Sequence, residues 1–413
     1  MASTALPGSR PSTCPSRSRG GLVRLLHVLA ALLLPIAAAA TPHIPPSNST
    51  VLERVAAMAA TQELAPLRAR VATHPDDLPS ALALARGYLD IGRATADPRF
   101  VSYAEATLSP WLQHPHPDPE VLTLQASALQ YLHRFDEALR LLDQALALQR
   151  FDAQAWLTKA TILQVQGHFD AARQSCRPLI QISGHLIALT CLTSVDSLTG
   201  KLTASFTALR SVFIDDPRLK AGVRVWILDQ LGDMAQRGGD DPAAEGYFRA
   251  ALRVNPDDGY SKGEYADLLL RQRRAVEVMR LLENDESQDN LLLRLAIAAT
   301  RMRTADAQRL SDEFQARYEA ARRDGDTTHL REQARFLLEV RGQSNTALNI
   351  AAQNWNVQRE PADVRVYWAA ATATGDAQHL QRVREWIRQT HYEDAVLRSI
   401  TDAHPSNPET ALR

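Results

Sequence analysis

The chain has 413 residues, of which 45% are hydrophobic and 23% are charged, and its formal net charge is −1 at pH 7. This composition is that of a globular protein, and the length allows two conventional domains or one elongated repeat array. No lysine-rich tail or dense basic stripe is present, which argues against nucleic acid as a partner.

Residues 1–40 have the composition of a secretory signal. A basic region without acidic residues precedes an apolar run from Leu25 to Ala40, which ends in consecutive alanines. The run is shorter than the roughly 20 residues that a membrane span requires. We therefore expect cleavage before Thr41 and an exported protein, periplasmic or secreted, with no stable membrane span. An uncleaved anchor and an organelle transit peptide are the alternatives.

Residues 41–50 are rich in proline, serine and threonine and are interpreted as a disordered linker. Helical periodicity begins at about Val51, and residues 51–118 are predicted to hold N-terminal helices and one helix pair. In this pair, the stretch from Arg93 to Phe100 lengthens the connection between the two helices. Because insertions in such repeats map to the turns, this stretch is predicted to form a protruding loop.

From Pro119 onward the sequence repeats with a period of 34 residues. The segment from Arg134 to Leu139 recurs from His168 to Arg173, with phenylalanine second and alanine fifth in both. In the clearest unit, residues 225–258, the pattern is carried by Leu228, Leu231, Gly232, Ala235, Ala244, Phe248, Ala251 and Pro256. The small residues let two antiparallel helices approach closely, and the proline ends the second helix.

This pattern resembles the tetratricopeptide repeat (TPR) family, although the aromatic residue usual near the start of a unit and the one usual at Ala235 are missing. The resemblance covers residues 119–290, as five units, and extends to 78–118 and 291–403. In residues 291–403, degenerate helical repeats and a C-terminal cap are expected, and residues 404–413 are expected to be a frayed tail. The fold that the resemblance implies is all-α, a right-handed α-solenoid of stacked helix-turn-helix repeats.

The resemblance also implies a function, because TPR proteins bind an extended peptide or a helix of a partner protein in a concave groove lined by their first helices. The positions predicted to face this groove are Thr123, Ser127, Gln130, Tyr131, Leu157, Thr161, Gln164, Thr190, Ser194, Asp229, Asp233 and Arg237. Tyr260 is likewise predicted to point toward the inner surface. The identity of the partner and the oligomeric state stay open.

Signatures of catalysis are scarce in this sequence. It has no glycine-rich phosphate loop, no nucleophile elbow, no metalloprotease-type histidine pair and no Cys-x-x-Cys. His114, His116 and Asp118 alternate with prolines and are interpreted as a stiff loop rather than a metal site. We therefore predict a non-enzymatic scaffold that binds a partner protein, without cofactor or metal. A structural subunit of a cell-envelope assembly and an enzyme subunit are the alternatives.

Cys176 and Cys191 are the two cysteines downstream of residue 40. Export would place them where disulfides form, and the turn near Gly184 lies midway between them. Residues equally far from the turn of an antiparallel hairpin lie at the same height. A disulfide is therefore predicted, with two buried free thiols as the alternative. Pro178 is expected to kink the helix that carries Cys176.

Overall fold

The computed structural model describes residues 59–95, 97–323 and 328–397. Within these ranges all regular secondary structure is helical, without any strand. The predicted signal, linker and frayed tail lie outside the described residues. None of the described helices is long and apolar enough to cross a bilayer.

The first helices are α1 (Ala59–Glu63), α2 (Ala65–Thr73), α3 (Leu78–Thr95) and α4 (Pro98–Leu112). The prediction of a protruding loop between α3 and α4 is wrong, because most of the extra residues lengthen the two helices. The Asp97 carboxylate caps α4 by accepting a hydrogen bond from the Arg99 amide at 2.9 Å, and proline is favoured in the first turn. The start of α4 packs against α3, since Phe100 is buried and its ring centroid lies 6.4 Å from that of Tyr88.

The remaining helices follow in pairs. As far as residue 281 they are α5 (Pro119–Tyr131), α6 (Phe135–Leu148), α7 (Ala153–Val165), α8 (Phe169–Cys176), α9 (Leu179–Ile182), α10 (His185–Ser197), α11 (Leu202–Val212), α12 (Ala221–Arg237), α13 (Asp241–Val254), α14 (Gly259–Arg271) and α15 (Ala275–Leu281). The last six are α16 (Asp289–Met302), α17 (Ala307–Arg323), α18 (Leu330–Glu339), α19 (Ser344–Asn354), α20 (Pro361–Thr374) and α21 (Ala377–Thr390).

Each pair has a first and a second helix that pack against each other, and the second helix also contacts the next pair. In addition, consecutive first helices contact one another. They form a continuous layer, the first-helix layer, made of α3, α5, α7, α10, α12, α14, α16, α18 and α20. The protein is therefore an all-α repeat solenoid of TPR-like helix pairs, which confirms the predicted fold class.

The pair α12 and α13 shows why the pattern residues are small. Gly232 on α12 faces Phe248 on α13 so closely that a Cβ at this position would lie 2.5 Å from the ring. Ala244 and Phe248 are fully buried in the same contact. Helix α13 ends at Val254, ahead of Pro256, as the sequence predicts for a proline that terminates a helix.

Cys176 and Cys191 are joined by a disulfide, with their Cα atoms 5.7 Å apart. Cys176 is the last residue of α8, and Cys191 lies on α10. The bond therefore ties the second helix of one pair to the first helix of the next. Between them Pro178 interrupts the helix, and α9 begins at Leu179.

We expect that neither cysteine reacts with an alkylating reagent when protein purified from cells is denatured without reduction. Replacing both by serine should lower the free energy of unfolding by about 3 kcal/mol, because the bond restricts the unfolded chain between residues 15 positions apart. Urea titrations of the oxidised, reduced and doubly substituted proteins measure the effect. Reduction should leave the double variant unchanged, and labelling of both cysteines in the untreated protein would contradict the bond.

The last described helix pair, α20 and α21, and the residues that flank it contact helices of earlier pairs. The Arg359 amide, ahead of α20, donates to the carbonyl of Val165 at the end of α7, at 2.7 Å. The Leu202 amide, at the start of α11, donates to Oε1 of Glu393 at 3.2 Å, across 191 positions of sequence. These bonds connect the pair α20–α21 to the turn between α7 and α8 and to the turn between α10 and α11.

Close side-chain contacts accompany this return. Trp386 on α21 packs against Phe169 at the start of α8, with 6.3 Å between the ring centroids. Gly200 has a φ of +78°, and a Cβ at this position would lie 2.8 Å from the Cβ of His391, so only glycine fits there. One buried apolar cluster accordingly includes residues from Ala160 to Leu397. We call this arrangement the C-terminal closure.

Candidate functional site: a charged cavity in the first-helix layer

Seven successive first helices, from α7 to α20, line one cavity of about 110 Å³, which we call the central cavity. Its wall carries four arginines and four acids, namely Arg237, Arg294, Arg331, Arg365, Asp233, Glu264, Glu332 and Glu360. Tyr260 also lines the cavity and is 56% exposed. Charged groups at this density in a small space must be largely paired, because an unpaired charge away from water is costly.

Arg237 joins α12 to α10. Its Nε donates to Asp233 at 2.8 Å, its Nη1 to the Ser197 carbonyl at 2.8 Å and its Nη2 to the Ser197 hydroxyl at 2.7 Å. Burial alone would lower the pKa of Arg237, but the charge of Asp233 raises it above its usual value. All three nitrogens are engaged, so this arginine holds the wall together.

Arg294 joins α16 to α14 in the same way. Its Nη2 donates to Asp267 at 2.6 Å, and its other nitrogens donate to the carbonyls of Gly263 and Asn290 at 3.1 and 2.7 Å. Arg335 on α18 lies 2.7 Å from the second Asp267 oxygen. Burial would raise the pKa of Asp267, but the two arginines lower it below its usual value.

Arg331 on α18 is surrounded by acids. It lies 2.9 Å from Glu332, 3.1 Å from Glu360 and 3.5 Å from Asp363. Although burial opposes it, the charge of Arg331 lowers the pKa of Glu332 to about 2. Burial raises the pKa of Asp363 above its usual value, against the charge of Arg331. Glu332 and Glu360 are therefore occupied by this arginine.

Arg365 on α20 connects the cavity to the C-terminal closure. Its Nε donates to Oδ2 of Asp394, beyond α21, at 2.8 Å. Its Nη2 is buried and has no hydrogen-bond partner among the described residues. The charge of Asp394 raises the pKa of Arg365 above its usual value, although burial alone would lower it.

Glu264 on α14 differs from the other charged residues of the wall. Its carboxyl is partly exposed, and no described residue forms a hydrogen bond or an ion pair with it. Burial first, and then the charges of Asp267 and Asp233, raise its pKa to about 7, while Arg365 and Arg294 oppose this rise. The cavity thus contains one unpaired carboxyl that changes its charge near neutral pH.

Four of the predicted groove residues line the central cavity, namely Gln164, Ser194, Asp233 and Arg237. Gln164 and Asp233 are partly exposed there, whereas Ser194 and Arg237 are buried in the wall, with 7% and 2% of each residue exposed. Tyr260, predicted to point inward, lines the cavity as well. Ser194 donates to the side-chain oxygen of Gln164 at 3.1 Å, which joins α10 to α7 at the neutral end of the wall.

For four other predicted groove residues the prediction is wrong, because the neighbouring first helix covers them. Thr123, Ser127, Thr190 and Asp229 are buried, with at most 4% of each residue exposed. Thr123 donates to Asp152 at 2.7 Å, and Asp229 accepts from the Ser261 hydroxyl at 2.9 Å. Ser127 and Thr190 donate to backbone carbonyls one turn earlier on their own helices. The side chains of Thr123 and Asp229 therefore connect successive pairs, whereas those of Ser127 and Thr190 bond within their own helices.

The last four predicted groove residues, Gln130, Tyr131, Leu157 and Thr161, are half-buried and do not line the central cavity. Tyr131 contacts the preceding pair, and its hydroxyl donates to the Gly92 carbonyl at 3.4 Å. Burial, together with the charges of Asp97 and Asp289, raises the pKa of Tyr131 to about 12. Thr161 donates to the Leu157 carbonyl at 3.0 Å. A partner would meet these residues outside the cavity.

Most of the cavity wall, including Glu264, Arg294, Arg331 and Arg365, lies outside the positions that the repeat pattern predicts to face the groove. A signal was present, because Arg331 and Arg365 lie one repeat length apart in the degenerate part of the chain. Arg294 occupies the preceding first helix. Charged residues recurring on first helices indicate an inner surface even where the packing pattern is weak.

No protein-family model and no curated protein matches the chain. Among solved structures, it is similar to a chain of the APC/C hetero-tetramer Cut9–Hcn1, at 13% identity over 75% of this chain, with a TM-score of 0.39. The match covers 52% of that chain, so this protein spans about half its length.

Two further structures are similar. Human IFIT1, in a dimer with PPP-AAAA, matches at 10% identity over 80% of this chain and 86% of the other, with a TM-score of 0.39. Pseudomonas aeruginosa PilF matches at 16% identity over 57% of this chain and 93% of the other, with a TM-score of 0.30. These neighbours are TPR-repeat proteins, and at such identities the likeness concerns the fold alone.

Proposed function

We propose that this protein is an exported, non-catalytic scaffold that binds a segment of a partner protein at the central cavity. The observation that carries the proposal is the convergence of seven first helices on one cavity that contains an unpaired carboxyl. The other charged residues of the wall pair with one another or with Asp267 and Asp394, which do not line the cavity. A wall of paired charges in which the Glu264 carboxyl alone is unpaired suits the binding of a ligand rather than catalysis.

The size of the cavity limits what can bind there. An α-helix with its side chains is about 10–12 Å across, and a cavity of about 110 Å³ cannot enclose it. The volume suits one side chain or a chain end. We therefore propose that the ligand is an extended segment, such as a terminus or a loop, which inserts one residue and lies along the cavity mouth.

Export belongs to the same proposal. The basic and apolar segments of residues 1–40 support it, and so does the disulfide between Cys176 and Cys191, because such bonds persist in oxidising compartments. Mass spectra of the cell-derived protein, recorded for the alkylation experiment, also locate its N-terminus. An N-terminus at Thr41 supports export, and an intact Met1 contradicts cleavage.

A photoreactive phenylalanine analogue at position 260 tests the site directly. Tyr260 is 56% exposed on the cavity wall, and Tyr103 on α4 is 50% exposed away from it, so the two tyrosines form a matched pair. We expect irradiation in cells to give a discrete covalent adduct from position 260 and none from position 103. Mass spectrometry of the adduct should identify a terminus or a loop of one partner.

The variant with the photoreactive residue at position 103 is the control and shows which result would contradict the proposal. An adduct of equal yield from position 103, or from position 103 alone, would contradict the central cavity as the binding site. Adducts to a mixture of unrelated proteins from both positions would indicate non-specific contact and would count against the proposal. Both variants should fold normally, because each replaces a half-exposed aromatic ring by another aromatic ring.

A further inference from the structure

We propose that Glu264 recognises a cationic group of the ligand, an alkylammonium or a guanidinium, that enters the central cavity. This inference rests on the proposed function for the location of the site, and it adds the chemistry of the inserted residue. A lysine or arginine side chain of a partner protein carries such a group, and so does a free amine.

Glu264 differs in its pairing from the other charged residues of the wall. Arg237 and Arg294 use all their nitrogens for hydrogen bonds to protein atoms. Arg331 and Arg365 are held by acids. The carboxylates of Asp233, Glu332 and Glu360 all lie within ion-pair distance of an arginine, so Glu264 is the charged group of the wall that remains without a partner among the described residues.

The free hydrogen-bonding groups of the wall determine the sign of the charge that the cavity can accept. An anion would need free donors, and on the arginines of the wall these are confined to the Nη atoms of Arg365, of which Nη2 is buried. A cation needs acceptors, and the Glu264 carboxylate offers both oxygens. The exposed ring of Tyr260, one turn earlier on the same helix, provides an aromatic face to a cation. The free acceptors therefore favour a cationic ligand.

The surroundings of Glu264 make cation binding depend on pH. The charged and titratable groups that act on Glu264 are Asp229 and Asp233 on α12, Tyr260 and Asp267 on α14, Arg294 on α16 and Arg365 on α20. With burial, the acids raise the pKa of Glu264 to about 7, so at pH 7 about half of the empty sites hold a proton. A bound cation would replace this proton, and binding should therefore strengthen as pH rises through 7.

The test uses blocked peptides on the full-length mature protein, with calorimetry as the readout. The probes are acetyl-Ala-Lys-Ala-amide, the same peptide with methionine or glutamate in place of lysine, and the diamine cadaverine. We expect the lysine peptide to bind about tenfold more tightly at pH 8 than at pH 6, because a carboxyl with a pKa near 7 is ionised roughly ten times more at the higher pH while lysine stays charged. The methionine and glutamate peptides should not bind.

Two variants assign the effect to one carboxyl. Glu264→Gln should weaken binding of the lysine peptide at least tenfold and remove its pH dependence between pH 6 and 8. Glu264→Asp should retain the pH dependence with weaker binding. Glu283→Gln changes an exposed acid outside the cavity and should bind as the unmodified protein does.

The outcomes separate this inference from the proposed function. Binding of the lysine peptide without cadaverine indicates a cation carried by a peptide, and binding of both indicates that a free amine also suffices. Tighter binding of the glutamate peptide, or lysine-peptide binding that Glu264→Gln leaves unchanged, overturns the inference. If no probe binds while position 260 still gives its adduct, the inference is wrong and the proposed function stands.

Discussion

Replacing Arg237 by alanine is expected to lower the free energy of unfolding by about 3–5 kcal/mol. The arginine is 2% exposed, and its removal would leave the Asp233 carboxylate and the carbonyl of Ser197 without their donors. Its guanidinium also lies 5.9 Å from the ring centroid of Tyr392 in the C-terminal closure. The change should appear as a lower urea midpoint with an unchanged slope.

An exposed arginine one helix further along serves as the control. Arg249 on α13 has a side chain that is 63% exposed and lies 3.9 Å from Glu245, so Arg249→Ala should cost less than about 1 kcal/mol. Arg237→Lys should still be clearly destabilising, because an ammonium cannot reproduce the three directed hydrogen bonds of the guanidinium. Equal losses for Arg237→Ala and Arg249→Ala would show that Arg237 faces solvent.

Replacing Trp386 by alanine is expected to release the C-terminal closure, at a cost of about 3 kcal/mol. The indole packs against Phe169, Trp355 and Tyr392, with ring centroids 6.3, 5.3 and 5.3 Å away. Without it, the last helix pair loses its aromatic contact with α8. The amides of Arg359 and Leu202, which donate across the closure, should then exchange with deuterium much faster than in the unmodified protein.

A core change of similar size at the other end of the array controls for general destabilisation. Phe100 is buried in the cluster around α3 and α4, and none of its described ring contacts is with the last helix pair. Phe100→Ala should destabilise the N-terminal pair while exchange at Arg359 and Leu202 stays slow. If both variants accelerate exchange at these amides equally, the closure does not open as a separate unit. Small-angle scattering should show an increased radius of gyration for the Trp386 variant alone.

The closure also contacts the wall of the central cavity. Arg365 on its wall is bonded to Asp394, and Arg237 lies beside Tyr392, so the closing segment touches two of the four arginines of the cavity. Opening of the closure would expose these charges to water and widen the site. The Trp386 variant should therefore also weaken binding of any ligand that needs the assembled wall.

The sequence by itself determined the helix pairs. The contact of Gly232 with Phe248, the end of α13 before Pro256 and the cap of α5 at Asp118 all depend on residues within one 34-residue unit. Interactions of this range leave a periodic pattern, and the pattern can be read without coordinates. For the same reason the periodic pattern places Gln164, Ser194 and Asp233 on one side of the first helices, and all three line the central cavity.

Tertiary structure alone decided which of these inner positions stay open. Thr123 and Asp229 have the phase of groove residues but are covered by the following pair, through Asp152 and Ser261. The hydrogen bond between Leu202 and Glu393 spans 191 positions of sequence and does not recur from one repeat unit to the next. The repeat pattern therefore cannot predict it. Helical phase specifies the direction of a side chain from its own axis, whereas burial depends on what lies in that direction. For Thr123 and Asp229 the following helix pair lies in that direction. Gln164 and Asp233 instead face the central cavity, which Glu264 also lines.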